Sequence, residues 1–231
     1  MVDSSFSRVL GTLAHLSIRI VGDLLAPATC AGCDASLSNR RIFCISCAVT
    51  VIDATPSPVG NIFAAAEYGG AVAAAIQRFK YQGRADLAEP LSHLLRGALR
   101  RRRPEVDVVV PVPLHPRRLA ERGFNQAALL AKNVSRELGA RPLLRALERA
   151  RFSPPQASLG KRERANNLKG AFVARSPGPL RGMRVAVVDD VLTTGATIEA
   201  CSQALFEAGA LSVATVVLAV TPADARAIDL S

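Results

Sequence analysis

The chain contains no tryptophan, and aromatic residues make up only 4% of its 231 positions. A β-sandwich core and a base-stacking groove both lean on such rings. Their scarcity, beside abundant Ala, Val and Leu, turns the reading toward helices alternating with parallel strands. Long apolar runs are also missing. Val9 to Ala26 comes nearest, but His15, Arg19 and Asp23 interrupt it, so it is too short and too polar to span a bilayer. Pro27 stands where a lipoprotein-type cleavage before Cys30 wants an aliphatic residue. Within the same stretch Val9, Leu13, Leu16, Ile20 and Leu24 recur every three or four positions. That spacing predicts an amphipathic helix docked on the domain or on a partner, in a cytoplasmic protein. Acidic residues are the minority: 19 against 29 Lys and Arg, for a net charge of +10. Such a balance suits phosphate-bearing partners and fixes no fold.

What is present begins with cysteine. Four of the five stand as "CAGC" and "CISC", Cys30, Cys33, Cys44 and Cys47. Two C-x-x-C knuckles can set four thiolates at the corners of a tetrahedron, the arrangement a structural zinc ion takes. Two disulfides are the alternative, but nothing in the sequence indicates an oxidising compartment. Cys201 falls inside a predicted helix, where core packing accounts for it.

Pro56, Ser57, Pro58 and Gly60 mark a linker. Three segments follow from this: an amphipathic helix over 1–29, a small zinc-ribbon-like four-cysteine module over 30–58, and an α/β domain over 59–231. In the last, "AVAAAIQRFKYQG" reads as a helix up to Gly83, and "LAEPLSHLLRGALRRRR" as a second helix closed by Pro104. Arg100 to Arg103 suit a solvated helix end. "VDVVVPVP" is a buried strand stopped by prolines, and "NQAALLAKNVSREL" a helix that Gly139 ends. The polar stretch "RFSPPQASLGKRERANNLKG" reads as a functional loop or a linker. "MRVAVVDD", a helix from about Thr197 to Ala208, and "LSVATVVLAV" then form a parallel βαβ unit.

In "VAVVDDVLTTGAT" two carboxylates end a strand and a Thr/Gly turn opens a helix. Carboxyl ends of parallel strands face the crevice where ligands bind, which puts Asp189 and Asp190 there. At Thr193, Thr194, Gly195, Ala196 and Thr197, free backbone N–H groups and the helix dipole favour a phosphate. The acids would repel that phosphate, so they serve hydroxyls or a metal. A sugar 5-phosphate asks for both halves. Paired acids at a strand end also occur in phosphoacceptor receiver domains, where they lie near the domain's N-terminus.

The same stretch resembles the phosphoribosyl pyrophosphate (PRPP) loop of type I phosphoribosyltransferases. "VPVPLHPRRLAERGFNQA", "FKYQGRADLAEPL", "RERANNLKGAF" and the cysteines resemble, more narrowly, the ComF family of competence-associated, phosphoribosyltransferase-like proteins, over about Cys30 to Val220. The resemblance implies a Rossmann-like parallel sheet flanked by helices. It implies that Asp189 and Asp190 hold ribose hydroxyls, that Thr193 to Thr197 cradle the 5-phosphate, and that Pro111, Val112, Pro113, Leu114 and His115 form a pyrophosphate loop. Lys161, Arg162 and Arg164 would lie on a closing loop and, with Mg²⁺, balance the leaving pyrophosphate. Asp190 and these three cations are the expected catalytic set. "GFNQA" is also explained by a helix start with Asn125 at the cap.

Two functions stay open: transfer of a phosphoribosyl group from PRPP to an unidentified acceptor, and a DNA-uptake accessory role. In the second, the knuckle and the basic surface would bind single-stranded DNA or a helicase-like partner, with the PRPP site regulatory or vestigial. Phe79, Tyr81, Phe124 and Phe152 are the stacking candidates for it. A dimer is compatible with either.

Overall fold

A computed structural model describes residues 28–39, 41–56, 61–150 and 170–221. The amphipathic helix expected before Pro27, the linker positions Ser57, Pro58 and Gly60, and the basic loop with Phe152, Lys161, Arg162 and Arg164 all lie outside the described residues.

After the first cysteine pair comes a single helical turn, α1 (Ile45–Ala48), then strand β1 (Ile62–Glu67) and helix α2 (Gly70–Tyr81). Helix α3 (Ala88–Arg101) leads to β2 (Val108–Pro111), and the short α4 (Pro116–Arg122) to α5 (Gln126–Leu138). Strands β3 (Arg141–Pro142), β4 (Leu147–Arg149) and β5 (Phe172–Ala174) follow, then β6 (Arg184–Leu192), α6 (Ala196–Glu207) and β7 (Ser212–Val220). Five strands form one sheet in the order β1-β7-β6-β2-β3, every pair parallel, while β4 and β5 make a separate antiparallel hairpin.

Alternation along β6 explains the layers. Val185 and Val187 face one side, where Ile198, Cys201 and Leu205 of α6 pack with Leu147 and Phe172 of the hairpin. Ala186 and Val188 face the other, beneath Phe79, Leu91, Leu95, Leu130 and Val134 from α2, α3 and α5. A strand buried on both faces must be apolar at both parities, which is why "RVAVV" shows no polar alternation. Cys201 is fully buried in this core. Cys30, Ala31 and Phe43 join the second face, so the cysteine segment and the sheet share packed atoms.

Three differences from the sequence reading have a local physical cause. Strand β1 is unanticipated because three of its six residues are alanine; only its ladder with β7 makes it extended. Strand β6 runs past Asp189 and Asp190 to Leu192, because Asp189 and Val191 still pair with Val217 and Ala219. Helix α6 starts at Ala196, one residue early, with Gly195 as its cap at φ 80°. Only glycine adopts that backbone without strain.

Leu95 is 1% exposed, whereas Leu211 is 68% exposed. Leu95→Ala is expected to lower unfolding free energy by about 2–5 kcal/mol in urea titration, and Leu211→Ala by less than about 0.5 kcal/mol. Equal losses would mean that the α3 face is not a packed core.

Candidate functional site

From β2 the chain crosses through α5 to β3 on one side, and from β6 it crosses through α6 to β7 on the other. The two strands are neighbours, with Val108 beside Val185 and Pro111 beside Val188. Helices on opposite faces therefore leave a crevice at the carboxyl ends of this pair, the place where parallel sheets bind ligands. A cleft of about 390 Å³ opens there. Val112, Pro113 and Leu114 after β2 and Asp189, Asp190, Thr193 and Thr197 from β6 and its turn line it. Beside it, residues 191–198 and Asp189 enclose a smaller cavity of about 30 Å³, at the N-terminus of α6, where unpaired N–H groups favour an anion. Asp189, Thr193 and Thr197 line both cavities, so the acids and the turn are neighbours.

The loop after β2 is held from below. Asn125 donates Nδ2–H to the Val112 carbonyl at 3.0 Å, while its Oδ1 accepts the Ala128 N–H and caps α5. One side chain thereby fixes both the loop and the helix. His115 caps α4, its Nδ1 accepting the Arg117 N–H at 3.2 Å, with Pro116 in the first helical position. Among the expected loop residues, His115 is thus a cap, and Pro111 is buried in the strand.

Although it follows a strand-end pattern, Asp190 is not directed at solvent. It is 6% exposed and bonds through Oδ1 to Lys80 Nζ at 2.6 Å. Burial alone would lower the lysine's pKa, but Asp190 and then Asp189 outweigh it and raise it. Asp189 accepts the Asp190 N–H at 2.8 Å. Burial, then the neighbouring Asp190 charge, push its carboxyl up to about 7 against the pull of Lys80 and Arg122. The adjacent acids therefore differ: one is paired with a cation, the other is only about half ionised near pH 7.

Three arginines join Lys80 around the cleft: Arg118, Arg122 and Arg149. Arg122 stacks over the Tyr81 ring at 4.9 Å and donates to Gln126 Oε1 at 3.2 Å. Arg149, on the β4 hairpin, lies over Phe172 at 5.5 Å, and its buried Nε has no hydrogen-bond partner among the described residues. Burial, then Arg118, hold its pKa below the ordinary value. Four cations against two acids, one of them only partly ionised, suit a ligand with several negative charges and a few hydroxyls. Sequence reasoning missed all four. Lys80 sits between two aromatic residues in "FKYQG", and helix α2 gives no sequence signal of which residue reaches β6.

The four knuckle sulfurs lie within 4.8 Å of one another, with Cys33 and Cys44 Sγ 3.8 Å apart. A tetrahedral zinc with Zn–S near 2.3 Å has sulfur–sulfur edges of about 3.8 Å, whereas a disulfide needs about 2.05 Å. All five cysteines are free thiols. Burial raises the Cys30 pKa, yet N–H groups of Cys44, Cys33 and Gly32 bring it down to about 6. The Cys44 N–H lies 3.3 Å from Cys30 Sγ. Burial and the neighbouring sulfurs push Cys47 the other way, up to about 12, and four sulfurs at this spacing suit a soft divalent cation.

Comparison with known proteins agrees with this geometry. Residues 125–230 match the phosphoribosyl transferase domain. The DNA utilization protein YhgH of Escherichia coli K12 is 32% identical over 198 residues, covering 80% of this chain and 86% of that protein. Competence protein F of Haemophilus influenzae is 38% identical over 142 residues, 58% of this chain and 61% of its own. Among solved structures, the glutamine PRPP amidotransferase of B. subtilis aligns at TM-score 0.43 and 21% identity, over 61% of this chain and 30% of that one, too loosely to bear on the site. The chain belongs to the ComF family, whose members are built on a type I phosphoribosyltransferase-like fold.

The raised Asp189 carboxyl sets a pH dependence. Between about pH 4 and 7 the folded chain keeps a proton that the unfolded chain has released, so stability falls as pH rises through that window. Asp189→Asn is expected to flatten the fall in urea titrations across it. A wild type whose stability relative to the variant does not change from pH 4 to 7 would refute the assignment.

Proposed function

We propose that this protein binds PRPP with Mg²⁺ and transfers its phosphoribosyl group to an acceptor not yet identified. The observation that carries this reading is that one cleft gathers paired acids, a helix-opening Thr/Gly turn and four cations. Thr193 to Thr197 would take the 5-phosphate and Asp189 and Asp190 the ribose hydroxyls. The loop from Pro111 to His115 and the nearby arginines would face the pyrophosphate. Bound with the substrate, Mg²⁺ would neutralise part of the pyrophosphate charge. For its part the chain fixes the ribose, screens the departing anion with Lys80 and the arginines, and leaves the anomeric carbon open to attack. Departure of pyrophosphate builds positive charge on the ribose, so positioning and leaving-group charge carry most of the barrier reduction. Lys161, Arg162 and Arg164, as loop cations over the same site, belong to this proposal by resemblance.

We also infer that Cys30, Cys33, Cys44 and Cys47 hold one structural zinc ion, that the protein works in the cytoplasm, and that a dimer is compatible with this work. No helix among the described residues is long and apolar enough to cross a membrane. The zinc inference predicts about one zinc per chain in elemental analysis, with chelation destabilising the segment around Cys30. Absence of zinc, with both pairs oxidised, would exclude it.

A second reading has its own support: the relatives are named for competence and DNA utilization, and the net charge is +10. In that reading the chain handles single-stranded DNA, or a helicase partner, during DNA uptake. Phe79 is fully buried and packs against the half-buried Phe124 at 5.6 Å, so Phe79 is not free to stack on a base. Tyr81 is 67% exposed and is the most open ring among the described candidates, with Arg122 over it. That sparseness favours the transferase.

One experiment separates the two: calorimetry with Mg²⁺ and PRPP, and a pyrophosphate-release screen against bases and amines. The wild type is expected to bind PRPP, and Asp190→Asn to bind it at least about tenfold more weakly, the loss of one charge-assisted contact. Salt-sensitive binding of single-stranded DNA, with no PRPP binding, would reverse the order of the readings.

A further inference from the structure

Asp34 follows the first cysteine pair at φ 61°, the one non-glycine residue with positive φ among the described residues. Aspartate tolerates that left-handed backbone better than most side chains. Its N–H donates to the Cys30 carbonyl at 2.9 Å, so the turn is set by the knuckle itself. One Asp34 oxygen pairs with Arg78 Nη2 and the other with Arg84 Nη1, the latter at 2.5 Å. Arg78 is 9% exposed and lies in α2, and Arg84 stands just beyond that helix. Arg84 is anchored twice more, to Asp86 at 2.7 Å and to Thr29 Oγ1 at 3.3 Å.

The chain between the two arginines carries Lys80, whose ammonium reaches Asp190, and Tyr81, both lining the cleft. Gly83 in that stretch has φ 67°, with open space where a Cβ would stand, and its carbonyl accepts the Ala85 N–H at 2.9 Å. At the other end of α2, Thr50 Oγ1 accepts the Ala71 N–H at 2.9 Å, and Thr50 itself donates to Cys47 O. A Cβ on Gly32 would approach the Cys47 sulfur at 3.1 Å and Ala71 Cβ at 3.2 Å. The knuckle thus grips the helix at its start through the second cysteine pair and at its end through the first.

We propose that Asp34 is a positioning residue for Lys80: by clasping Arg78 and Arg84 it fixes the intervening stretch and holds the lysine at Asp190 in the cleft. The inference deepens the PRPP reading and rests on it only for its consequence in ligand binding. The geometry makes the cysteine segment part of the site's machinery rather than a separate attachment. A buried arginine needs a partner, and the partner here comes from the knuckle. Coupling of this kind is reciprocal, so whatever orders the knuckle orders the lysine.

Asp34→Asn removes the charge while keeping a residue suited to positive φ. In the intact chain it is expected to leave zinc content and far-ultraviolet dichroism unchanged. Reductive methylation followed by mass spectrometry should show Lys80 labelled several-fold faster, because freed from its ion pair it is both more accessible and less strongly protonated. Lys132, on α5, should label at its former rate. Arg84→Gln, which loosens the same stretch from the other side, should act likewise and serves if Asp34→Asn folds poorly. With Mg²⁺ and PRPP, affinity should fall about tenfold in Asp34→Asn and no further when Lys80→Met is added. Unchanged Lys80 labelling in both variants overturns the proposal, as does full additivity of the two substitutions. Faster labelling in a protein that binds no PRPP would uphold the positioning role and count against the PRPP reading alone.

Discussion

The parallel pairing of β2 with β6 is the constraint on which the rest depends. Because the chain leaves these neighbours toward opposite edges and opposite faces, no crossover covers their carboxyl ends. Everything placed just after Pro111 and from Asp189 onward converges there. Residues more than seventy positions apart in sequence, Val112 and Asp189 among them, then share a cleft whose floor is the ends of two paired strands. Asn125 reinforces the arrangement by tying the loop after β2 to the start of α5. Groups tied down in this way lose little entropy on binding.

The electrostatics of the cleft describe a resting state. Lys80 and Asp190 neutralise each other at 2.6 Å, and Asp189 sits near the midpoint of its titration. A ligand offering both hydroxyls and phosphate groups exchanges partners: the acid turns to hydroxyls and the lysine to phosphate. Neither charge is stranded in a low-dielectric space. Removing one partner without the other would leave such a charge and cost several kcal/mol, typically about 3–5. The buried pair contributes little to stability on that account, and its value is in keeping both groups charged and aimed until exchanged. Arg118 and Arg149 add positive potential to the same cleft.

Much of this was legible in the sequence. The βαβ unit from Met183 to Val220 shows two apolar runs around a helix-length segment, and its glycine turn is the strongest local signal in the chain. Cysteine spacing alone anticipated the sulfur cluster, since two C-x-x-C turns can face each other in only a few ways. What stayed hidden depends on tertiary contacts. Strand β1 is alanine-rich and becomes a strand through β7. Arg149 looks like any hairpin residue until Phe172 and the cleft surround it. Lys80 occupies a helix end, where its direction is set by contacts fifty residues upstream and a hundred downstream. Burial of Asp190 followed from the same lysine and could not be read from a strand-end position.

The link from knuckle to cleft gives the cysteines a physical reason to be where they are. Cys30, Ala31 and Phe43 pack in the same cluster as Phe79 and Ile76 of α2, so the first contact between the segments is apolar and non-directional. Apolar packing fixes distance well and rotation poorly. Directional contacts are added on top of it: Thr50 at the helix start, and Asp34 on two arginines beyond its middle. A helix docked by packing alone could turn or slide enough to move a long lysine side chain by an ångström or so. Small displacements of that order matter where a charged group must meet a partner at hydrogen-bond distance. Four sulfurs drawn together by a metal ion would stiffen the turn that carries Asp34, and the stiffness would pass along the ion pairs to Lys80.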